Sequence, residues 1–198
     1  QKPQAAGRER IMTKPCDSQL GAEAPVRAVI SLGANLGTPA ETLRLALDAL
    51  DKTPGVHLLK TSRFYDTSPV DSSGPNYVNA AALIETMLAP LALLHAMQAI
   101  ENQFGRVRPV GIHNAPRTLD LDLLLFGSEK RETAELTLPH PRMLGRLFVL
   151  IPLQDIAPDW QGPDGATLPE LIERVRKADP SQTIRLLAPS TAAQLAES

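Results

Sequence analysis

The sequence predicts an α+β fold: a ferredoxin-like βαββαβ antiparallel sheet with helices packed on it and a C-terminal α/β appendage. Three observations predict it: short apolar runs typical of strands, helical segments with an apolar stripe, and turn residues between them. The chain has 198 residues, 43% of them hydrophobic, which suits one domain of about 150 residues with tails. We expect this domain at residues 26–187, with a disordered extension or expression remnant at 1–25 and a loose tail at 188–198.

The first half of the pattern is a strand, a helix and a second strand. Residues 26–32 are an apolar run that ends at glycine, as in a buried strand. Residues 38–41 (TPAE) predict a capping box with proline at the first helical position, and leucines at i, i+4 and i+7 continue this helix to near Asp51. Residues 56–65 are the second predicted strand, and residues 66–76 are a loop.

The second half repeats this order and is followed by the appendage. The third strand is predicted at 77–86, a helix from Pro90 to about Phe104, and the fourth strand at 118–126, after a loop at 106–116. For the appendage we expect a short segment at 136–138, a helical turn near 141–145, a strand near 148–152, and a last helix that begins with a capping box at 167–170.

Charge and composition exclude several classes of protein. The 20 Lys and Arg residues nearly balance the 22 Asp and Glu residues, which gives no electrostatic reason to expect nucleic-acid or membrane-surface binding. The single cysteine, Cys16, excludes an internal disulfide framework, so we expect a cytoplasmic protein, and we take it to be a monomer. No glycine-rich phosphate loop occurs, so a bound nucleotide would be held by side chains and metal.

The segment 118–125 (TLDLDLLL) is the most informative pattern in the chain. Because alternate strand residues share a face, we expect Asp120 and Asp122 to point together away from the core. Two carboxylates about 6–7 Å apart repel each other unless a cation lies near them, and Mg²⁺ accepts such oxygens together with phosphate oxygens. The alternative is an exposed edge strand with solubilising aspartates. The leucines expected to face the core are Leu119, Leu121, Leu123 and Leu125.

Basic and aromatic residues surround this pair in the sequence. Guanidinium groups bind phosphate oxygens in pairs, which favours an anion site over a set of solvated surface arginines. Tyr77 and Asn79 share one face of the third strand, where they could stack on a flat heterocycle and read its amide edge. The basic residues are Arg106, Arg108 and Arg117 before the pair, and His140, Arg142 and Arg146 after it.

Together these residues resemble the 6-hydroxymethyl-7,8-dihydropterin pyrophosphokinases, a family of folate-pathway enzymes also named 2-amino-4-hydroxy-6-hydroxymethyldihydropteridine diphosphokinases. The resemblance rests on residues 113–124 (HNAPRTLDLDLL), which are similar to the family signature throughout. Six further pieces match in order, so the resemblance covers about residues 26–185. These pieces are residues 31–37, 64–69, 77–81, 100–108, 136–141 and 151–158.

The resemblance implies a reaction and a set of site residues. ATP would donate its β,γ-pyrophosphoryl group to the pterin hydroxymethyl oxygen, with AMP leaving and two Mg²⁺ ions bound by Asp120 and Asp122. The implied catalytic residues are Arg106, Arg117, Asp120 and Asp122. The implied ATP-binding residues are Gln98, Glu101, Arg108, Arg117, Leu123, Thr137, His140 and Arg146. The implied pterin-binding residues are Thr67, Ser68, Val70, Tyr77, Asn79, Asn114, Asp120 and Phe148.

The sequence departs from the family pattern at three positions, and it leaves other classes open. Asn114 stands where some relatives have an aromatic lid residue, Glu135 where some have a basic residue, and Pro141 where some have an aromatic one. A non-catalytic ferredoxin-like module that binds an anionic metabolite is the alternative, although its ligand would be repelled by two carboxylates. A metal-dependent glycosyltransferase would need a nucleotide-sugar domain that this length hardly accommodates.

Overall fold

The computed structural model describes residues 24–69, 74–105 and 119–188. The expectations for residues 1–23, 70–73, 106–118 and 189–198 lie outside these ranges. The strands are β1 (Val26–Ala34), β2 (Val56–Thr61), β3 (Tyr65–Thr67), β4 (Tyr77–Thr86), β5 (Asp120–Phe126), β6 (Arg131–Glu132), β7 (Thr137–Leu138) and β8 (Ile184–Leu186). The helices are α1 (Pro39–Lys52), α2 (Pro90–Gln103), α3 (Leu147–Ile156) and α4 (Leu168–Ala178), with a 3₁₀ turn at Met143–Gly145 before α3.

One antiparallel sheet organises the described part of the chain. Its strand order is β5-β1-β4-β3-β8, and β2 also pairs with β4. Every pairing within it is antiparallel. Strands β6 and β7 form a separate two-stranded sheet. The predicted α+β class, an antiparallel sheet with helices packed on it, is therefore confirmed.

Helices cover both faces of the sheet. Alternate residues of a strand point to opposite faces, and in β1 this places Ile30 in one apolar cluster and Val29 in another. The first cluster joins α1 and α2 to the sheet through residues that include Leu43, Leu47, Leu50, Leu93, Met97 and Ile100. The second joins α3 and α4 to the opposite face through residues that include Leu147, Leu150, Leu153, Leu168, Leu171 and Val175.

Strand β5 departs from strict alternation near its end. Its register with β1 shifts between Val29 and Ile30, which leaves Leu124 as an extra residue in the ladder. Beyond such a bulge, each side chain points to the opposite face of the sheet from the one that strict alternation predicts. The expectation that Leu125 shares a face with the earlier leucines was therefore wrong, and Leu125 packs against the α3 and α4 cluster. The leucines before the bulge are buried in the α1 and α2 cluster as the alternation predicts: Leu119, Leu121 and Leu123.

Helix α3 replaces the strand that the sequence predicts near residues 148–152. The helix is buried between the sheet and α4, so it is apolar on nearly all sides and shows no stripe of helical period. A short apolar run of this kind has the same pattern in a strand and in a buried helix, which explains the wrong prediction. Among the described residues, no helix is both long and apolar enough to cross a membrane.

Three smaller elements also differ from the expectations. The predicted second strand is split into β2 and β3. Thr61 pairs with Ala82 of β4, and Tyr65 pairs with Asn79. Four residue steps on this side therefore lie opposite only three on β4, which interrupts the pairing. This places two residues of the predicted loop, Asp66 and Thr67, in β3. Helix α1 has proline in its first turn, but Thr38 makes no side-chain capping bond, so the capping box predicted there was wrong. Strand β8 was not predicted at all.

The capping box of α4 and the edge of the sheet show how polar groups fix the second helical layer. Thr167 and Glu170 bond each other's backbone N–H groups, as the sequence predicts. On α3, Asp155 accepts hydrogen bonds from the Arg63 side chain (Nη2 to Oδ1, 2.9 Å) and from the Tyr65 hydroxyl (2.7 Å). Arg63 lies between β2 and β3, and Asp155 therefore ties α3 to the break between these strands.

Candidate active site

A cleft of about 170 Å³ opens on the face of the sheet that α3 and α4 cover. Its walls come from β1, β3, β4 and β5, from the residues after β3, and from the start of α3. The sheet therefore supplies the floor and α3 supplies the opposite side. The lining residues are Ser31, Gly33, Thr67, Ser68, Pro69, Tyr77, Asn79, Asp120, Asp122, Arg146 and Phe148.

The register of the strands explains why these residues meet. Asp122 pairs with Ser31, and Asp120 pairs with Gly33, which in turn lies opposite Asn79 on β4. Residues directly opposite each other in an antiparallel ladder point to the same face. Tyr77, two residues from Asn79 along β4, points to the same face and pairs with Thr67 of β3. The cleft floor is thus formed by side chains on one face of four neighbouring strands.

Asp120 and Asp122 are both partly exposed and lie on the opposite face from the buried leucines of β5. Their carboxylate oxygens are the donors that Mg²⁺ prefers, and the cleft beside them has room for phosphate oxygens and water as further ligands. Among the described residues, no group of three or more His, Cys, Asp or Glu side chains is arranged to hold a metal ion. The donor set therefore fits an ion that is held jointly with a ligand better than an all-protein cage.

Asn79 forms the buried polar part of the floor. Its Oδ1 accepts a hydrogen bond of 2.5 Å from the Thr67 hydroxyl, and its Nδ2 donates to the Leu32 carbonyl at 3.3 Å. A primary amide has two N–H donors and an oxygen that accepts twice, so each end keeps capacity for one more hydrogen bond. Gly33 permits this arrangement, because a Cβ there would lie 2.7 Å from Asn79 Nδ2.

Arg146 and Phe148 form the side of the cleft that faces the sheet. The Arg146 guanidinium carbon lies 5.4 Å from the centre of the Phe148 ring, within the range of a cation–π contact. Arg146 precedes α3 in an extended conformation, with φ −129° and ψ 113°. The ring and the guanidinium group thus present an aromatic face and a permanent positive charge to the same cleft.

His140 lies beside the lining residues and is held in one tautomer. The Arg142 backbone N–H donates to His140 Nδ1 at 3.2 Å, so a neutral imidazole carries its proton on Nε2. Burial lowers the pKa of His140; the nearby Asp122 charge raises it, while the charges of Arg146 and Arg142 lower it, and the net shift is downward. At neutral pH His140 is therefore an uncharged donor through Nε2.

Comparison with known proteins identifies the family. The model for 7,8-dihydro-6-hydroxymethylpterin-pyrophosphokinase (HPPK) matches residues 29–158. The chain belongs to the HPPK family. It is 46% identical over 147 residues to the 2-amino-4-hydroxy-6-hydroxymethyldihydropteridine pyrophosphokinase of Pseudomonas aeruginosa, covering 74% of this chain and 90% of that protein. The protein of the same name from Haemophilus influenzae is 45% identical over 150 residues, covering 75% of this chain and 92% of that protein.

Solved structures agree with the fold. A crystal structure of HPPK-DHPS in complex with substrates matches with a TM-score of 0.60 at 14% identity, covering 78% of this chain and 44% of the other. A wild-type Plasmodium falciparum HPPK-DHPS with STZ-DHP has a TM-score of 0.59 at 16% identity, covering 79% and 42%. The chain thus spans less than half the length of these solved proteins, and at such identities the likeness concerns the fold alone.

The cleft contains only some of the residues that the HPPK resemblance implies. Gln98 is exposed on α2, and Thr137 lies on β7. Glu101 is buried, not solvated, and accepts a hydrogen bond from the Leu121 backbone N–H at 3.3 Å. Leu123 is buried in the α1 and α2 cluster. None of these four lines the cleft, and Val70, Arg106, Arg108, Asn114 and Arg117 lie outside the described residues.

Three lining residues carry no assigned role in the sequence analysis. Ser31 and Gly33 face the cleft from β1, and Pro69 follows β3. The available signal was the alternation of β1, where a small polar residue and a glycine occupy successive positions of one face in an otherwise apolar strand. A strand glycine often marks a close approach of another group, which here is the Asn79 amide.

Proposed function

We propose that this chain transfers the pyrophosphoryl group of ATP to the hydroxyl of 6-hydroxymethyl-7,8-dihydropterin, giving the pterin diphosphate and AMP. The HPPK family and the names of the relatives support pyrophosphoryl transfer in folate biosynthesis. The observation that carries the proposal is the placement of Asp120 and Asp122 in the same cleft as the Asn79 amide. A non-catalytic anion-binding module would gain nothing from two carboxylates beside its ligand.

We assign this activity to residues 26–187 and the sheet to the ferredoxin-like class. The order β5-β1-β4, with β2 and β3 together on the far edge of β4, matches a βαββαβ unit whose second strand is split. The packing of α1 and α2 in a single cluster supports this assignment. Helices α3 and α4 and strand β8 then form the C-terminal appendage, which completes the cleft.

Asp120 and Asp122 would hold two Mg²⁺ ions together with the triphosphate of ATP. Their oxygens, their partial exposure and the neighbouring cleft support this role. Bound Mg²⁺ neutralises charge on the transferring group and orients the reacting oxygens. The strand fixes the spacing of the two carboxylates, so this chain contributes a rigid anionic pair at the base of the cleft.

The nucleotide side of the cleft would be formed by Arg146 and His140. Arg146 supplies a fixed charge for phosphate oxygens, and His140 supplies an uncharged Nε2–H donor beside it. Leu123 would contribute through its backbone, because its side chain is in the core. The remaining proposed nucleotide contacts are Gln98, Glu101, Thr137, Arg108 and Arg117, and Arg106 and Arg117 would stabilise charge on the transferring group.

The pterin would lie between the sheet and α3, with Tyr77 and Phe148 on its two faces. Both aromatic residues line the cleft, and flat rings are favoured between aromatic side chains. Asn79 has one donor and one acceptor left to read the amide edge of the heterocycle. Asp120 at the end of the same row of the floor would lie near the hydroxymethyl group. Thr67, Ser68, Val70 and Asn114 complete the proposed pterin contacts.

An AMP-release assay tests the proposal. The wild-type chain should release AMP from ATP only when the hydroxymethyl pterin and Mg²⁺ are both present. Asp120→Asn and Asp122→Asn should each lower this rate by at least about a hundredfold, since each removes an interaction with the charge of the transferring group. Asp159→Asn, at an exposed aspartate outside the cleft, is the matched control and should retain the wild-type rate.

Two outcomes would refute the proposed function. Wild-type rates of AMP release in both cleft variants would show that the acidic pair has no part in the reaction. Tight binding of Mg·ATP and pterin by a wild-type chain that releases no AMP would instead support the non-catalytic module.

A further inference from the structure

The segment that follows α4 contacts the start of α3 through one side chain, Gln182. Its Oε1 accepts the Leu147 backbone N–H at 3.0 Å, and its Nε2 donates to the Gly145 carbonyl at 3.0 Å. Leu147 is the first residue of α3, so its N–H has no partner within the helix. Gln182 therefore supplies the missing acceptor at the helix N-terminus, and it also binds the 3₁₀ turn before it.

These two backbone groups lie on either side of Arg146 in the chain. Arg146 is the single residue between Gly145 and Leu147, and it adopts an extended conformation between the 3₁₀ turn and α3. A clamp on both neighbours restricts the backbone of the residue between them. The direction in which the Arg146 side chain leaves the backbone, toward Phe148 and the cleft, is thus set in part by Gln182.

The turn that presents Gln182 is itself ordered by Asp179. The Asp179 backbone N–H donates to the Val175 carbonyl at 2.8 Å and so ends α4, and its carboxylate accepts from the Ser181 backbone N–H at 3.2 Å. The same carboxylate accepts from Gln182 Nε2 at 3.2 Å. Hydrogen bonds from Ser181 and then Gln182 lower the pKa of Asp179, so it is ionised at neutral pH. Both the oxygen and the nitrogen of the Gln182 side-chain amide are therefore held by hydrogen bonds.

The next residue along the chain binds the opposite wall of the cleft. The Thr183 backbone N–H donates to Ser68 Oγ at 2.9 Å, and the Ser68 backbone N–H donates to the Thr183 carbonyl at 3.0 Å. Strand β8, which follows directly, pairs with β3. Two adjacent residues thus bind the two walls, one through Ser68 and the other through the groups flanking Arg146.

We propose that Gln182 is a positioning residue for nucleotide binding: it sets the orientation of Arg146 and, with Thr183, fixes the separation of the cleft walls. This inference rests on the proposed function, in which Arg146 contacts the triphosphate. Gln182 does not line the cleft, so it acts through Arg146 and not by touching substrate.

The test is a double-mutant cycle on nucleotide affinity. Gln182→Met keeps the length of the side chain and removes its hydrogen bonds, and Gln182→Ala removes the side chain beyond Cβ. The affinity for a non-hydrolysable Mg·ATP analogue is measured by calorimetry. Gln182→Met and Gln182→Ala should each weaken it about tenfold. In an Arg146→Ala background the same change should have an effect of less than about twofold.

A control variant and the possible contrary results distinguish a positioning role of Gln182 from an effect on the stability of the fold. Gln161→Met, at an exposed glutamine whose side chain makes no hydrogen bond within the described residues, should leave affinity and melting temperature unchanged. Equal loss of affinity with and without Arg146 would overturn the proposal, as would no loss at all. Should Gln182→Met fail to fold, Gln182→Ala takes its place in the cycle. A wild-type chain that binds the analogue but releases no AMP refutes the proposed reaction, while the cycle still decides the role of Gln182.

Discussion

Replacing Gly33 with alanine should displace the buried polar part of the cleft floor. A Cβ at this position would lie 2.7 Å from Asn79 Nδ2, whereas ordinary contact begins at 3.4 Å. The amide would have to move by about 0.7 Å, the difference between these distances. It cannot do so freely, because Nδ2 donates to the Leu32 carbonyl and Oδ1 accepts from Thr67.

The expected cost follows from these contacts. Overpacking of a buried site costs about 1–3 kcal/mol. Loss of glycine freedom in the unfolded chain offsets about 0.4–1 kcal/mol of this. We expect Gly33→Ala to lower the free energy of unfolding by about 1–2 kcal/mol, which corresponds to about 2–4 °C in melting temperature per kcal/mol. Pterin affinity should fall as well, since the displaced amide no longer presents its remaining donor and acceptor to the cleft.

Urea unfolding of four chains isolates the clash. They are the wild type, Gly33→Ala, Asn79→Ala and the double variant. If the Asn79 amide is the obstacle, Gly33→Ala should cost less than about 0.5 kcal/mol once the amide has been removed. Gly74→Ala, where a Cβ meets nothing within 4 Å, is the stability control. An unchanged unfolding free energy in Gly33→Ala, or the same loss with and without Asn79, would refute the reasoning.

Three further predictions concern caps, charge and the polar floor. Thr167→Ala should cost about 1 kcal/mol in chemical unfolding, because it removes an observed cap, whereas Thr38→Ala should cost only a few tenths. Asp155→Asn should lower the melting temperature at pH 7, with a difference from wild type that shrinks below about pH 4. Thr67→Val, which keeps the volume but removes the hydroxyl bound to Asn79, should weaken pterin binding about tenfold in calorimetry, and Thr67→Ser should not.

The sign of the Asp155 prediction follows from its surroundings. Partial burial raises its pKa, but hydrogen bonds from Arg63 and Tyr65 outweigh this effect and hold the pKa below its ordinary value. A lowered pKa in the folded state contributes stability above the unfolded pKa, and that stability is lost as the pH falls through the folded one. A constant difference in melting temperature between pH 7 and pH 3 would contradict this assignment.

The other two predictions have equally direct contrary results. Equal costs for Thr167→Ala and Thr38→Ala would show that the capping bond of α4 adds nothing to stability. Unchanged pterin affinity in Thr67→Val would show that the Asn79 amide needs no support from β3.

The parts of the fold with a local signal could be predicted from the sequence. The apolar stripe and the capping box at Thr167 locate α4, and the alternation of β5 places Asp120 and Asp122 opposite the leucines. In these segments the pattern has a period, and the period identifies the buried face. Prediction failed where burial on several sides removes the period, as in α3, which is apolar on nearly all sides.

Other features depend on contacts distant in the chain. Leu125 changes face because of a bulge in the pairing of β5 with β1, which leaves no mark in a run of leucines. Gln182 bonds groups 35 and 37 positions away, so no local pattern could indicate its role. Thr38 has the sequence of a capping box without its side-chain bond, since a cap depends on local backbone geometry as well as residue type.

The most direct test of the central proposal is a crystal structure with a non-hydrolysable ATP analogue and Mn²⁺ in place of Mg²⁺, with the ions located by anomalous scattering. We expect two ions bound by carboxylate oxygens of Asp120 and Asp122 and by phosphate oxygens. Phosphates bound in the cleft with no ion at these two side chains would contradict the proposal.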